Sequence, residues 1–431
     1  MTCRPHLPLP HGSGGRPVRG HALREGAGGR STPWLSILGI GEDGVEGLTE
    51  AARALVAAAD LVVGGARHLA RAAPLIRGEA LRWPSPLSDA FPTILARRGR
   101  PVAVLASGDP CCYGIGSVLA RVVPVAETLV VPAPSAFSLA CARLGWALQE
   151  VVTLSFCGRP VEAILPRLQP NARILALSEG AATPATVLAL LRRHGFGRSV
   201  VHVLEALGGP RERVWSGSAD SDLPADIDPL NLVGIEVVAS PTARVIPLAP
   251  GLPDAFFEHD GQITKREIRA VTLSALAPRA GEVLWDIGCG SGSVAVEWSL
   301  RHPANRAIGV EARADRAARA ARNALSLGVP AMRVVTGEAP AALAGLPAPD
   351  AVFVGGGARV GVLDAAWAAL RSGGRLVANA ITIETEALLF AAQHRRGGTL
   401  TRLSVDRLDG IGAMRAFRPA MTVTQWVVTK P

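Results

Sequence analysis

A glycine-rich turn between a short apolar strand and a helix is the feature that most constrains how this chain can fold. The strand and turn read Val283-Leu284-Trp285-Asp286-Ile287-Gly288-Cys289-Gly290-Ser291-Gly292-Ser293. Glycines let the main chain turn sharply and approach a ligand closely where a parallel strand leads into a helix. A second apolar strand at 307–310 is followed at once by Glu311, nineteen residues after Gly292. The pattern predicts a Rossmann-like α/β unit with a ligand site at its strand ends.

The turn and Glu311 together predict a nucleoside site. An acid at the tip of the second strand can accept hydrogen bonds from both hydroxyl groups of a ribose. The glycines are spaced G-x-G-x-G behind Asp286, whereas dinucleotide sites usually run G-x-G-x-x-G over a helix that receives a pyrophosphate. We therefore expect S-adenosylmethionine, which has ribose and adenine but no phosphate. A tight turn without a ligand is the less favoured alternative, because Glu311 lies at the right distance.

Three further segments of the second half each have two interpretations. Ala339 lies just after the next strand and is either an adenine-side contact or part of an ordinary helix cap. Thr264 precedes Glu267 by three residues, a capping-box pattern for a helix at 265–276, and its loop could also close over the methionine end of the donor. The arginines near the C-terminus form either a solvated face or a site for substrate carboxylates: Arg402, Arg407, Arg415 and Arg418.

The first half contains three turns that each follow an apolar strand and open a helix. They lie around Gly41, at 107–116 with Asp109 and Cys112, and around Ser135. Alternating strand and helix signals predict parallel α/β structure, in which such turns lie on one rim of the sheet, where ligands bind. The first half is expected to form two α/β subdomains with a cleft between them.

Length and composition predict the domain organisation. A chain of 431 residues is too long for one ordinary core. Residues 241–253 carry four prolines and no periodicity, which indicates a linker. Residues 1–30 are rich in Gly, Pro and Arg, and we expect a disordered basic extension there. The predicted order is therefore extension 1–30, domain 31–242, linker 243–256 and a domain at 257–431 with about seven strands.

Charge and cysteine usage narrow the class of protein. The formal charge is +9, and residues 1–30 supply +4 of it through five arginines against one acid. The remaining arginine surplus suits a polyanion, either nucleic acid or a small polycarboxylate, because guanidinium groups bind carboxylate and phosphate in a bidentate way. The six cysteines lack zinc-site spacing, and no apolar run reaches the roughly 18 residues of a membrane span. We expect a reduced, cytoplasmic protein that binds no metal and no membrane.

The motifs of both halves resemble a known fusion. In the first half the motifs are similar to those of the tetrapyrrole (class III) methyltransferases of corrin synthesis: Gly39-Ile40-Gly41, Ser107-Gly108-Asp109-Pro110 with Tyr113-Gly114, and Pro132-Ala133-Pro134-Ser135-Ala136-Phe137. In the second half they resemble its class I partner: Asp260-Gly261-Gln262-Ile263-Thr264-Lys265-Arg266-Glu267, the Asp286 run, Val354-Gly355-Gly356-Gly357, and Arg418-Pro419-Ala420-Met421 with Thr424-Gln425-Trp426. In this order they resemble the family of precorrin-6Y C5,15-methyltransferases (decarboxylating) of cobalamin biosynthesis.

The resemblance implies a fold, a reaction and two donor sites. It implies an N-terminal two-subdomain class III domain that methylates C5 and a C-terminal class I domain that methylates C15 and decarboxylates the C12 acetate arm. The substrate would be a polycarboxylate tetrapyrrole, with Arg407, Arg415 and Arg418 as the residues that bind it. One S-adenosylmethionine would bind per domain, in the C-terminal domain at Thr264, Asp286, Gly288, Cys289, Gly290, Ser291, Gly292, Glu311 and Ala339, and in the N-terminal domain at Gly41, Asp109, Cys112, Ser135 and Ala136. The catalytic residues are not assigned.

Two other functions compete with this interpretation. An RNA methyltransferase would explain the basic charge, but aromatic residues for base stacking are few and much of the charge lies in the N-terminal extension. A sensor that binds S-adenosylmethionine without turnover is the alternative outside the enzymes, and intact motifs in both halves argue against it. We expect a homo-oligomeric enzyme that does not bind nucleic acid.

Overall fold

The computed structural model describes residues 33–359 and 361–431, which form three β-sheets, their flanking helices and one separate β-hairpin. The predicted basic extension at 1–30 lies outside the described residues. In the described part the first half contains two sheets and the second half contains the third sheet and the hairpin. The α/β architecture expected for both halves is therefore observed.

The first sheet is fully parallel and has the strand order β3-β2-β4-β1-β5. Its strands β1, β2 and β4 are apolar and buried, as expected for a sheet covered on both faces. The elements are β1 (Leu35–Ile40), α1 (Glu50–Ala58), β2 (Leu61–Gly64), α2 (Ala66–Ala72), β3 (Glu79–Arg82), α3 (Phe91–Leu95), β4 (Val102–Ser107), α4 (Ile115–Leu119), β5 (Thr128–Val131) and α5 (Ala136–Leu144).

The second sheet is mixed, with the order β6-β7-β10-β8-β9. Strand β10 is antiparallel to both of its neighbours, so this subdomain differs from the parallel one before it. The elements are β6 (Val151–Ser155), β7 (Arg173–Leu177), α6 (Thr183–Arg193), β8 (Val200–Glu205), β9 (Arg213–Ser218) and β10 (Asn231–Glu236). A cleft lined by residues of both sheets separates the two subdomains.

The third sheet has seven strands in the order β13-β12-β11-β14-β15-β19-β16. The five strands from β13 to β15 are parallel, and β19 is antiparallel to β15 and β16. The elements are α7 (Arg266–Leu276), β11 (Val283–Ile287), α8 (Ser293–Arg301), β12 (Arg306–Glu311), α9 (Ala314–Ser326), β13 (Arg333–Thr336), β14 (Ala351–Val354), α10 (Val362–Ala369), β15 (Arg375–Ala380), α11 (Ile383–Arg396), β16 (Thr399–Leu403), β17 (Asp406–Ile411), β18 (Met414–Pro419) and β19 (Val423–Thr429).

The sheet order places a ligand crevice at the centre of this domain. The chain moves from β11 outward to β12 and β13, then crosses back to β14 on the other side. Connections that leave a strand in opposite directions open a crevice at the carboxyl ends of β11 and β14, where α/β folds bind ligands. The glycine turn follows β11, and its position is therefore set by topology.

The proline-rich linker is fastened to both domains rather than free. Its carbonyl at Ile246 accepts a hydrogen bond from Gln169 Nε2 (2.9 Å), and the main-chain N–H groups of Gly251 and Leu252 donate to the Glu297 carboxylate at 2.7 and 2.8 Å. Glu297 also pairs with Arg269 at 2.6 Å, and both side chains are fully buried. The buried apolar core is continuous from the second sheet into the C-terminal domain.

Two sequence predictions about local structure are wrong. Thr264 does not cap α7, because the N-cap residue is Lys265 and no side chain caps that end. The sequence at 400–406 also predicts a single strand, but β16 ends at Leu403 and the arginine-rich segment after it forms the hairpin β17–β18.

Candidate active sites

The C-terminal crevice is a cavity of about 540 Å³ formed by the loops after the parallel strands. Its wall includes most of the residues predicted to bind the donor: Thr264, Asp286, Gly288, Cys289, Gly290, Glu311 and Ala339. Ser291 and Gly292 are not part of the wall. Ser291 is buried with an exposed fraction of 1%, and Gly292 is the N-cap of α8. These two residues form the turn that holds the wall in place.

The glycine turn has a backbone that side chains would disturb. Gly288, Gly290 and Gly292 have φ values of 70°, 55° and 74°, in the left-handed region. A Cβ on Gly288 would lie 2.8 Å from the main-chain nitrogen of Gly357, in the loop after β14. The first glycine thus lets two loops of the crevice touch, which explains why the sequence requires glycine there.

Glu311 is held in the crevice by main-chain donors. Its Oε2 accepts a hydrogen bond from the N–H of Gly290 (2.9 Å), and its Oε1 accepts one from the N–H of Arg313 (3.0 Å). Its own carbonyl accepts from the N–H of Gly337 (2.9 Å), which positions the loop that carries Ala339. Each carboxylate oxygen keeps a free lone pair toward the cavity. This arrangement suits the two vicinal hydroxyl groups of a ribose.

Asp286 is a buried acid at the floor of the same cavity. Burial raises its pKa to about 7, and the nearby Glu311 carboxylate adds to the rise. Its Oδ2 accepts a hydrogen bond from the N–H of Ala295 (3.0 Å), whereas Oδ1 has no partner among the described residues. Burial also raises the pKa of the neighbouring Cys289 thiol, which is therefore neutral and unsuited to act as a nucleophile.

The predicted substrate arginines separate in the structure. Arg407, in β17, reaches the cavity and pairs with Glu267 in the first turn of α7. Arg415 and Arg418 lie in β18, outside the cavity wall, and Arg418 pairs with Asp409 at 3.1 Å. The hairpin thus brings one of the three arginines to the mouth of the cavity and holds the other two away from it.

A second cavity, of about 370 Å³, lies between the two N-terminal subdomains. All five residues predicted to bind a donor there are in its wall: Gly41, Asp109, Cys112, Ser135 and Ala136. Ser135 caps α5 by accepting a hydrogen bond from the N–H of Ser138 (3.1 Å). Gly39 allows the turns to meet, because a Cβ there would lie 1.9 Å from the carbonyl oxygen of Gly108. The three turns therefore form one site.

Sequence reasoning missed the charged side of this second cavity. The wall includes Glu42, Arg67 and His68, and the Glu42 carboxylate pairs with Arg67 (3.4 Å), with Arg71 and with Arg211 (3.5 Å). The sequence does contain a signal for this side of the cavity. Strand β2 is followed by Gly65 and a helix, which is the same order of strand, glycine and helix as at the three predicted turns.

Comparisons with known proteins match both halves of the chain. A family model described as tetrapyrrole (corrin/porphyrin) methylases matches residues 35–221, and one described as a precorrin methyltransferase domain matches residues 255–430. A Sinorhizobium sp protein named precorrin-6Y C(5,15)-methyltransferase [decarboxylating] is 55% identical over 400 residues, 93% of this chain and 97% of that protein. The chain belongs to the precorrin-6Y C(5,15)-methyltransferase (decarboxylating) family. It is a methyltransferase of the S-adenosylmethionine-dependent kind.

Another member of the family and a solved structure are also similar to this chain. A Mycobacterium tuberculosis (strain ATCC 25618 / H37Rv) protein of the same name is 39% identical over 92% of this chain and 100% of its own length. The crystal structure of the C-terminal domain of precorrin-6Y C5,15-methyltransferase from Rhodobacter capsulatus has 48% identity and a TM-score of 0.41, covering 43% of this chain and 100% of that one. The expected fold class, a class III domain followed by a class I domain, is confirmed by the family models.

Metal and membrane features were searched in the described part of the chain. Residues 33–359 and 361–431 contain no group of three or more His, Cys, Asp or Glu side chains placed to hold a metal ion. No helix within these ranges is both long enough and apolar enough to span a membrane.

Proposed function

We propose that this chain methylates precorrin-6Y at C5 and C15 and removes the carboxyl group of the C12 acetate arm, giving precorrin-8X. The observation that carries the proposal is the presence of two separate cavities, each lined by the donor residues expected for its own domain. Two methyl transfers to distant carbons of one macrocycle need two placements of substrate against donor. One S-adenosylmethionine in each domain meets that need.

The division of labour follows the domain boundaries, which we place at 31–242 and 257–431 with a linker at 243–256. The N-terminal domain would methylate C5, and the C-terminal domain would methylate C15 and decarboxylate. Two shorter relatives support the separation of the reactions: a Saccharolobus solfataricus protein named probable cobalt-precorrin-6B C(15)-methyltransferase (decarboxylating), and a Salmonella typhimurium protein named cobalt-precorrin-7 C(5)-methyltransferase. They cover 34% and 42% of this chain.

The chemistry requires positioning more than a reactive protein group. A ring carbon attacks the donor methyl in line with the sulfur, so holding the two carbons aligned and close supplies much of the acceleration. The bond from sulfur to methyl breaks as the new carbon–carbon bond forms. The proton on the attacked carbon must then leave. In the decarboxylation, a protonated ring imine can accept the electron pair released with carbon dioxide.

The C-terminal cavity has the features that this reaction needs. Glu311 would hold the ribose, and the glycine turn would lie against the rest of the donor. Arg407 would receive a substrate carboxylate at the cavity mouth by exchanging its present partner, Glu267. The cationic sulfonium favours an ionised carboxylate nearby, and Asp286 is the buried carboxyl at the floor. Cys289 and Thr264 would contribute packing and the rim of the donor site.

Donor binding by the full-length chain tests the proposal. Calorimetry should show two S-adenosylmethionine sites, and mass spectrometry of product from precorrin-6Y should show two added methyl groups with loss of carbon dioxide. Glu311→Ala should remove one binding site and leave C5 methylation. Ala136→Trp, which puts a large side chain in the N-terminal cavity, should remove the other site and leave C15 methylation. If both variants affected the same methylation, the division by domain would be refuted.

The two competing functions give different results in the same experiment. A non-catalytic sensor would bind two donors and leave precorrin-6Y unchanged. An RNA methyltransferase would retain RNA on a column in a salt-sensitive manner. We place the protein in the reducing cytoplasm, a proposal supported by the free state of the five cysteines in the described part of the chain. We also propose a homo-oligomer, which sedimentation of the purified chain would test.

A further inference from the structure

A serine, a histidine and an arginine form a hydrogen-bonded cluster at the edge of the N-terminal cavity. Ser107 Oγ, at the end of β4, lies 2.8 Å from His68 Nε2 and 3.0 Å from Arg67 Nη2. Arg67 Nη2 also lies 3.4 Å from His68 Nε2. A guanidinium group can only donate, so both the serine oxygen and the histidine nitrogen face a donor. The serine hydroxyl proton is therefore directed to His68 Nε2.

We propose that Ser107 and His68 form a relay that takes up the proton displaced when the N-terminal domain methylates its substrate. The inference rests on the proposed function of this site and adds a route for the proton. As the carbon–hydrogen bond of the methylated carbon breaks, its electron pair returns to the ring conjugation. The proton passes to Ser107 Oγ, and the hydroxyl proton of Ser107 passes to His68 Nε2. The imidazolium then returns the proton through the exposed Ser107 hydroxyl to solvent.

The position of each group fits its step. Ser107 is exposed and directly precedes Gly108 and Asp109, so its hydroxyl lies beside the predicted donor site. His68 is only partly exposed, and its Nδ1 is buried without a hydrogen-bond partner. Both side chains line the cavity, and Ser107 is the more exposed of the two, so its hydroxyl can meet the substrate while His68 Nε2 accepts the proton from it.

The charge state of His68 suits a proton acceptor. Burial, together with the neighbouring charges of Arg67 and Arg71, lowers the pKa of His68 to about 4. The ring is neutral near pH 7, so a nitrogen lone pair is available. The carbon acid formed by methyl transfer is a strongly acidic, positively charged species, and a weak base is sufficient for it. A low pKa also returns the imidazole to its neutral form after each turnover.

Other ionisable groups in this cavity are already engaged. The Glu42 carboxylate pairs with three arginines: Arg67, Arg71 and Arg211. Asp109 Oδ1 accepts a hydrogen bond from the N–H of Cys111 (2.8 Å). Burial raises the pKa of the Cys112 thiol, which favours its neutral form. Among the described residues that line the cavity, His68 is the only histidine.

The test uses the full-length chain and precorrin-6Y carrying deuterium at C5. The variants are Ser107→Ala and His68→Gln, and the matched control is His202→Gln. His202 is also a partly buried histidine beside a serine hydroxyl, with Nδ1 2.7 Å from Ser216 Oγ, but it lies outside the cavity. Methylation at C15 by the same molecules is an internal control, and calorimetry measures donor binding.

We expect both relay variants to slow C5 methylation by about a hundredfold, the usual size of lost acid–base assistance, and to show a primary deuterium isotope effect that the unaltered chain lacks. Donor affinity, the C15 rate and the His202→Gln variant should be unchanged. A slower reaction without an isotope effect, or with weakened donor binding, would show a structural role and overturn the relay. If the unaltered chain added no methyl group at C5, the proposed function would fail instead.

Discussion

The buried ion pair between Arg269 and Glu297 fastens the linker to the C-terminal domain, and Glu297→Gln is the perturbation that tests its contribution. The Glu297 carboxylate receives three hydrogen bonds: from Arg269 Nε at 2.6 Å, from the N–H of Gly251 at 2.7 Å and from the N–H of Leu252 at 2.8 Å. Glutamine has nearly the same volume, so no cavity is created. The substitution removes the charge that compensates a fully buried guanidinium.

The expected loss of stability is about 3–5 kcal/mol, the range for removing one partner of a buried pair. The glutamine oxygen can still accept one main-chain N–H, whereas its NH₂ group faces another donor, which costs about 1–3 kcal/mol within that range. Arg269 also donates to the carbonyl of Leu252 in the linker and to that of Thr264 at the rim of the donor cavity. Donor affinity in the C-terminal domain should therefore fall together with stability.

Urea unfolding followed by tryptophan fluorescence measures the change, and Trp298, the fully buried neighbour of Glu297 in α8, is one of the eight tryptophans that contribute. The matched control is Glu258→Gln, which removes a pair with Arg322 in which both side chains are 56% exposed. This control should leave the unfolding midpoint unchanged, because exposed pairs contribute little. A midpoint for Glu297→Gln within error of the unaltered chain would refute the reasoning that this pair fastens the linker.

Two further predictions concern the donor site. The pKa of Asp286 is raised from 3.8 to about 7, so the donor-free protein loses stability as the pH rises across that interval. A cationic donor favours the ionised carboxylate. It should therefore bind more tightly at pH 8 than at pH 6. Calorimetry should show this rise in affinity with pH for S-adenosylmethionine, a smaller rise for S-adenosylhomocysteine, which lacks the sulfonium charge, and none in Asp286→Asn. An affinity of the unaltered chain that does not change with pH would contradict the prediction. Gly288→Ala should lower the free energy of unfolding in urea by roughly 1–2 kcal/mol, because Gly288 has a left-handed backbone. The Cβ would also lie 2.8 Å from the main-chain nitrogen of Gly357, which lowers the stability further. Gly356→Ala is the control and should leave the free energy of unfolding unchanged, because nothing lies within 4 Å of a Cβ there.

The sequence predicts the parallel strands and the glycine turns because these depend on local patterns. A buried run such as 283–287 and the left-handed glycines after it leave a signature in consecutive residues. The predicted donor residues meet in two cavities because the topology of a parallel sheet brings all its strand ends to one edge. The number of strands in the C-terminal sheet, seven, is also predictable, because each strand is a local apolar segment of the sequence.

The parts that the sequence does not predict depend on partners distant in the chain. Glu297 reads as one acid on an amphipathic helix, and only the fold shows that it accepts hydrogen bonds from the linker 45 and 46 residues away. The cluster of Arg67, His68 and Ser107 spans 40 residues, and the motif that begins at Ser107 does not show which distant side chains its hydroxyl contacts. Thr264 matches a capping box, but the chain enters α7 one residue later, and the Thr264 carbonyl accepts a hydrogen bond from the distant side chain of Arg269.

The two cavities achieve a similar end by different means. In the C-terminal domain the second strand ends in Glu311, an acid suited to ribose hydroxyls, whereas β2 of the N-terminal domain ends in Gly64 and is followed by Gly65. The nearest acid of the N-terminal cavity, Glu42, is neutralised by its arginine partners and is a poor acceptor for further hydroxyl groups. We therefore expect main-chain groups at the turns around Gly41 and Ser135, together with Asp109, to contact the donor there. The two domains would thus hold the same kind of donor with different groups, an acid at the end of the second strand in one and turn residues in the other.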